Sequence, residues 1–134
     1  MNKIRTLISY DDINFANNIE EYIKSLDFIE IVGKALNGKE TYNKIIELQP
    51  EMVFSKYNME DMKSIEILKG IKQKLNDNTP VFNFFADEMP MEEVEKAYDI
   101  IGDKLNSLLG NECDKERIIT VLKDYKEYME KINV

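Results

Sequence analysis

The chain has 134 residues, 43% hydrophobic and 33% charged, which is the size of one domain with its own core and excludes a disordered chain. A formal net charge of -8 argues against a nucleic-acid surface. The absence of histidine removes histidine triads, dyads and the common zinc sites, and the single cysteine, Cys113, leaves no intramolecular disulfide.

Short and long segments alternate along the chain. KIRTLIS (3–9) is partly β-branched and reads as a strand. From Asp12 to Leu26, the residues Phe15, Ile19, Tyr22, Ile23 and Leu26 share one helical face. FIEIVGKAL (28–36) is a second strand; Asn37-Gly38 then opens a helix to about Leu48, with Pro50 just past its end. MVFSK (52–56) is a third strand, followed by a helix over Ser64 to Leu75 with Leu68, Ile71 and Leu75 inward. NDNTP (76–80) is a turn and VFNFFA (81–86) a fourth strand. Pro90 suits a first helical turn, Val94, Ala97, Tyr98 and Ile101 recur at helical spacing, and Gly102 ends that helix. KLNSLLG (104–110) is a weaker fifth strand. Asp114 caps a last helix striped by Ile118, Val121, Leu122, Tyr125, Met129 and Ile132.

Strands that alternate with helices imply a parallel sheet with helices on both faces. The expectation is an α/β doubly wound domain over 1–134, with its body at about 3–124 and an extended final helix to 133. In such sheets the site lies beyond the C-terminal strand ends. The residues there are Tyr10-Asp11-Asp12 after the first strand, Lys56-Tyr57-Asn58-Met59 after the third, Phe85-Ala86 after the fourth, and Asn111-Glu112-Cys113 after the fifth.

In the order and spacing of KIRTLISYDD, EYIKSLDFIEIVGKALNGKE, QPEMVFSKYNM and TPVFNFFA, the chain resembles a response-regulator receiver domain over about residues 3–124. The second of these runs is most similar to the receiver of the sporulation-initiation regulator of endospore-forming bacteria. The resemblance implies a flavodoxin-like five-stranded sheet of order 2-1-3-4-5. It also implies a magnesium-assisted phosphorylation site, with two acids after the first strand and a phosphoacceptor aspartate ending the third. A carbonyl two residues past that aspartate, a threonine or serine ending the fourth strand, a lysine after the fifth and a switching aromatic within the fifth complete it.

Carried over residue by residue, the pattern is degenerate. Asp11 matches the second acid, and Tyr10 stands for the first, with Asp12 as a partial substitute one place along. Lys56 stands at the phosphoacceptor and Asn58 at the carbonyl donor. Phe85 replaces the hydroxyl residue, Asn111 the lysine, and Leu108 falls near the switch aromatic. An ammonium is not the carboxylate nucleophile that transfer requires, and it repels a divalent cation that needs several hard oxygen ligands. Magnesium binding is therefore expected to be weak or absent, with Asp11 and Asp12 as residual candidates. Two unit charges about 4 Å apart at an effective dielectric near 20 attract by about 4 kcal/mol, which favours a Lys56–Asp11 pair. Lys56 as a plain solvated side chain, and Glu60 or Asp61 as an alternative acceptor, remain open at this stage. A phenyl ring at position 85 would fill the space that a switch needs.

The expected function is that of a pseudo-receiver, not an enzyme. It would bind a kinase, a phosphotransfer protein or another regulator without being phosphorylated, as a complete protein or as the N-terminal part of a transcription regulator. The last helix offers either a docked end, a linker or a homodimer seam. An active receiver with an unusual acceptor, or a flavodoxin-like carrier or enzyme, are the alternatives. The loop SYDDINFANN has no glycine to cradle a phosphate. No apolar run suits a signal peptide or a membrane span, and with the lone cysteine this gives a cytoplasmic expectation.

Overall fold

The computed structural model describes residues 3–132. Five parallel strands, β1 (Ile4–Ser9), β2 (Ile29–Ala35), β3 (Met52–Lys56), β4 (Val81–Phe85) and β5 (Leu105–Leu109), form one sheet of order β2-β1-β3-β4-β5. The helices are α1 (Ile13–Ile23), α2 (Gly38–Leu48), α3 (Ser64–Leu75), α4 (Met91–Ile101) and α5 (Lys115–Ile132). This is the α/β doubly wound, flavodoxin-like order expected from the sequence.

Strand side chains alternate between the two faces, so each strand feeds two cores. Ile8, Phe54 and Phe85 pack with Ala16, Ile19 and Ile23 of α1 and with Ile118 and Leu122 of α5. Their neighbours Leu7, Val53 and Phe84 pack on the other face with Ile45 of α2, Leu68 and Ile71 of α3, and Ala97 and Ile101 of α4. The helix starts follow local chemistry. Asp12 caps α1 by accepting from the amides of Asn14 and Phe15, at 2.9 and 3.3 Å. Asn37 caps α2 through the amide of Glu40, and Asp114 caps α5 through that of Arg117.

Three expectations change. α1 ends at Ile23 rather than Leu26, because the Leu26 amide turns back to the Ile23 carbonyl at 3.1 Å and leads the chain into β2; the Leu26 side chain still packs on the core. Tyr98 is not part of the inward face of α4, where Ala97 and Ile101 fill the width available, and it is 60% exposed. The α5 stripe is buried from Ile118 to Tyr125 and packs through Met129, but Ile132 is exposed. The expected end of that helix at residue 133 lies outside the described residues.

Candidate functional site

β1 and β3 are adjacent and parallel, with Ser9 opposite Ser55, so the residues that follow them open at one end of the sheet. There Lys56 Nζ donates to both carboxylate oxygens of Asp11, at 3.2 and 3.0 Å. The ammonium also lies 5.6 Å from the centre of the Tyr10 ring, within cation–π range. Both charged side chains are about one-third exposed, at 32% and 37%, so solvent screens the pair. The stabilisation is nearer to at most about 1 kcal/mol than to the unscreened figure.

Tyr10 is buried and takes the rest of the space. Its ring stacks on Phe15 at 3.9 Å, and its hydroxyl donates to Asn111 Oδ1 at 2.8 Å. Burial, aided by the carboxylates of Asp11, Asp87 and Asp12, holds that hydroxyl above its ordinary pKa of 10.0, so it stays a donor. The Asn111 amide in turn donates to Asp87 Oδ1 at 3.2 Å, tying the loop after β5 to the loop after β4. Phe85 lies beneath, 1% exposed, with Phe15 edge-on at 5.2 Å and Phe54 at 6.1 Å. Its phenyl group offers no hydrogen bond toward the pocket. Residues 10, 11, 56, 85 and 111 thus form a stacked, paired cluster.

The oxygen donors fit a divalent cation poorly. Asp11 spends both oxygens on Lys56, Tyr10 turns its hydroxyl to Asn111, and Asp12 Oδ1 caps α1. Among the described residues no group of three metal-capable side chains converges.

Asn58 does more than supply a carbonyl. Its φ is 60°, in the left-handed region where asparagine is among the few residues tolerated. Its amide donates to Ser64 Oγ at 2.8 Å and its Oδ1 accepts from the Ser64 amide at 2.9 Å, a reciprocal clasp that closes the loop onto the start of α3. The sequence carries no pattern for this clasp, because it depends on the conformation of the loop between β3 and α3. Leu108 lies on β5, opposite Phe84 in register, with its side chain 42% exposed rather than over the pocket.

Two further ties fix the surrounding loops. Asp61 accepts from the amides of Gly38 and Lys39, at 2.7 and 2.9 Å, and these two bonds hold its carboxyl below the ordinary 3.8. Tyr57 is edge-on to Phe84 and donates to Glu93 of α4 at 2.5 Å; burial first, then Glu93, raises its hydroxyl well above the tyrosine range. Neither contact was legible in the sequence, because each depends on where a loop conformation places its side chain.

No family model matches the chain. The receiver domain of the response regulator NarL from Mycobacterium tuberculosis superposes with a TM-score of 0.79 at 14% identity, covering 95% of this chain and 98% of that one. The receiver domain of the response regulator AraT from Geobacillus stearothermophilus gives a TM-score of 0.77 at 21% identity, covering 97% and 98%. In sequence, a protein-glutamate methylesterase/protein-glutamine glutaminase of Clostridium acetobutylicum is 31% identical over 84 residues, 63% of this chain but 24% of that protein. The response regulator VraR of Staphylococcus aureus is 37% identical over 57 residues, 42% of this chain and 27% of that protein. The fold is therefore that of response-regulator receiver domains, and the chain spans about a quarter of these curated relatives.

Proposed function

We propose that the chain is a pseudo-receiver of the phosphorelay type, in the style of the sporulation-initiation receiver, which works by binding a protein partner rather than by accepting a phosphoryl group. The observation that carries this reading is the Lys56–Asp11 ion pair at 3.0 Å, which puts a fixed ammonium where the chemistry would need a carboxylate nucleophile and a metal ion. The Tyr10–Asn111 bond and the buried Phe85 support it, because they occupy the positions of a metal ligand, a phosphoryl-pairing lysine and a mobile hydroxyl. Asp61 is an unsuitable substitute acceptor, with both oxygens engaged by backbone amides.

The partner is a kinase, a phosphotransfer protein or another regulator, met in the cytoplasm. Its docking surface is α1 or the face made by α4, β5 and α5, where Tyr98, Leu108 and Tyr128 are exposed. A homodimer through the end of α5 is the alternative use of that face. Among the described residues no helix is long and apolar enough to cross a membrane.

The test is intact mass after incubation with magnesium and a small-molecule phosphodonor. The wild-type chain stays unmodified under this reading. A labile phosphoryl adduct on the wild type overturns it, and peptide mapping of Asp11, Asp12, Glu60 and Asp61 then finds the acceptor.

A further inference from the structure

Asn37 and Gly38 form the only asparagine–glycine pair in the chain. This dipeptide is chemically labile in water. The backbone nitrogen of the glycine, stripped of its proton, attacks the side-chain Cγ of the asparagine, and no Cβ on the glycine hinders the approach. A bond forms from Cγ to the glycine nitrogen, the bond from Cγ to Nδ2 breaks, and ammonia leaves with the displaced proton. Water then opens the resulting succinimide ring at either carbonyl, giving aspartate or isoaspartate. Asn37 is exposed, so water reaches its carboxamide.

The fold withholds both reacting groups. The Gly38 amide, which supplies the nucleophile, donates to Asp61 Oδ1 at 2.7 Å, and the Lys39 amide donates to Oδ2 at 2.9 Å. The bonds from Lys39 and Gly38 hold the Asp61 carboxyl below the ordinary 3.8, so at neutral pH it is an anion and a feeble base. Its charge opposes the negative charge that deprotonation would place on the Gly38 nitrogen. The carboxamide is engaged too, because Asn37 Oδ1 accepts from the Glu40 amide at 2.8 Å as the cap of α2. The Asn37 carbonyl accepts from the amide and the hydroxyl of Thr41, at 3.0 and 2.7 Å. The Asn37–Gly38 peptide is thus tied on both sides and is not free to turn into a five-membered ring.

Asp61 reaches Gly38 only because the loop between β3 and α3 folds over the start of α2. That loop is closed by the Asn58–Ser64 clasp and by two backbone bonds between Met59 and Met62, at 3.2 and 3.4 Å. A Cβ on Gly38 would lie 2.8 Å from Met62 Cβ and 3.1 Å from the Met62 carbonyl oxygen, so the loop is pressed onto the glycine.

We propose that Asn37 is a deamidation site held off by Asp61, so that displacement of the loop between β3 and α3 frees the Gly38 amide and converts Asn37 to aspartate or isoaspartate. Isoaspartate lengthens the backbone where α2 begins, and either product adds a carboxylate next to the amides that Asp61 grips, so the change is one-way. The inference does not rest on the reading of Lys56.

The native chain is incubated in neutral buffer, and peptide mapping follows aspartate and isoaspartate at position 37 over time. The wild type keeps its asparagine, while the same chain unfolded in urea converts. Asp61→Ala converts roughly tenfold faster than the native wild type, the size of one lost charge-assisted hydrogen bond. If circular dichroism shows Asp61→Ala unfolded, Asp61→Asn, which keeps an acceptor oxygen but no charge, replaces it, and faster conversion than the wild type is again expected. Asn37→Ser keeps a capping hydroxyl and forms no isoaspartate at position 37. Phe82→Ala weakens the core and leaves Asp61 in place, so its conversion stays well below that of the Asp61 variant. Native wild type converting as fast as in urea, no acceleration on loss of the Asp61 carboxylate, or equal acceleration in Phe82→Ala overturns the proposal. Slower conversion in the Asp61 variant overturns it as well, because Asp61 would then be acting as the base.

Discussion

The hydroxyl of Tyr10 donates to Asn111 Oδ1 at 2.8 Å, so two residues 101 positions apart tie the loop after β1 to the loop after β5. Tyr10→Phe and Asn111→Ala should each lower stability by about 1 kcal/mol, the usual net worth of a part-buried hydrogen bond. Because they act on one bond, the double variant should cost less than the sum. Urea unfolding of the four proteins measures this; strict additivity would mean that the bond contributes nothing.

Lys56→Met should cost at most about 1 kcal/mol, because its pair with Asp11 is screened by solvent. Lys56→Asp should cost more than Lys56→Met, since it brings like charges together, and the difference should shrink as salt is raised. It should also remain unmodified by a phosphodonor, because Tyr10, Phe85 and Asn111 still occupy their positions. Thermal melts at two salt concentrations and intact mass read these outcomes.

Phe85→Ala should destabilise the fold by about 3–5 kcal/mol, the range for removing a fully buried phenyl side chain. Phe85→Thr would leave a comparable void and add a hydroxyl facing Phe15 and Phe54. Denaturant midpoints compare the two with Phe82→Ala on the other face of the sheet.

Stability should fall as pH rises past about 10. The Tyr57 and Tyr125 hydroxyls are raised by burial and then by Glu93 and Glu51, so the native state keeps protons that the unfolded chain releases from about its ordinary 10.0 upward. Their contribution is complete below that pH and is lost above it. Tyr57→Phe and Tyr125→Phe should each flatten the alkaline limb of the melting temperature against pH.

Asp61 predicts the opposite limb. Its carboxyl is held below 3.8 by the Lys39 and Gly38 amides, so its contribution is present above that pH and is lost as acid protonates the native state. Asp61→Asn should lower the melting temperature at neutral pH and reduce its fall as the pH drops below about 4. Gly38→Ala should disturb the same junction by another route, since a Cβ there would lie 2.8 Å from Met62 Cβ.

The alternation of strands and helices was legible because each strand is short and apolar, each helix keeps a 3.6-residue stripe, and Asp12, Asn37 and Asp114 stand where caps belong; the sheet order came from the resemblance to receiver domains. The failures have local causes. Leu26 keeps the helical spacing although the chain turns at Lys24, and Tyr98 sits next to buried Ala97 on a helix whose inward face is narrow. At the site, positions 10, 11, 56, 85 and 111 could be assembled from strand ends alone. The Asn58–Ser64 clasp, the Asp61 cap and the Tyr57–Glu93 tie depend on loop conformations that no periodicity encodes.

The clasped arrangement of Tyr10, Asn111, Lys56 and Asp11 also resists piecemeal change. A lysine at 111 would strand the Tyr10 hydroxyl in a buried place, and an aspartate at 56 would stand against Asp11. Each single substitution carries its own penalty, so this end of the sheet tolerates change only when neighbouring positions change together.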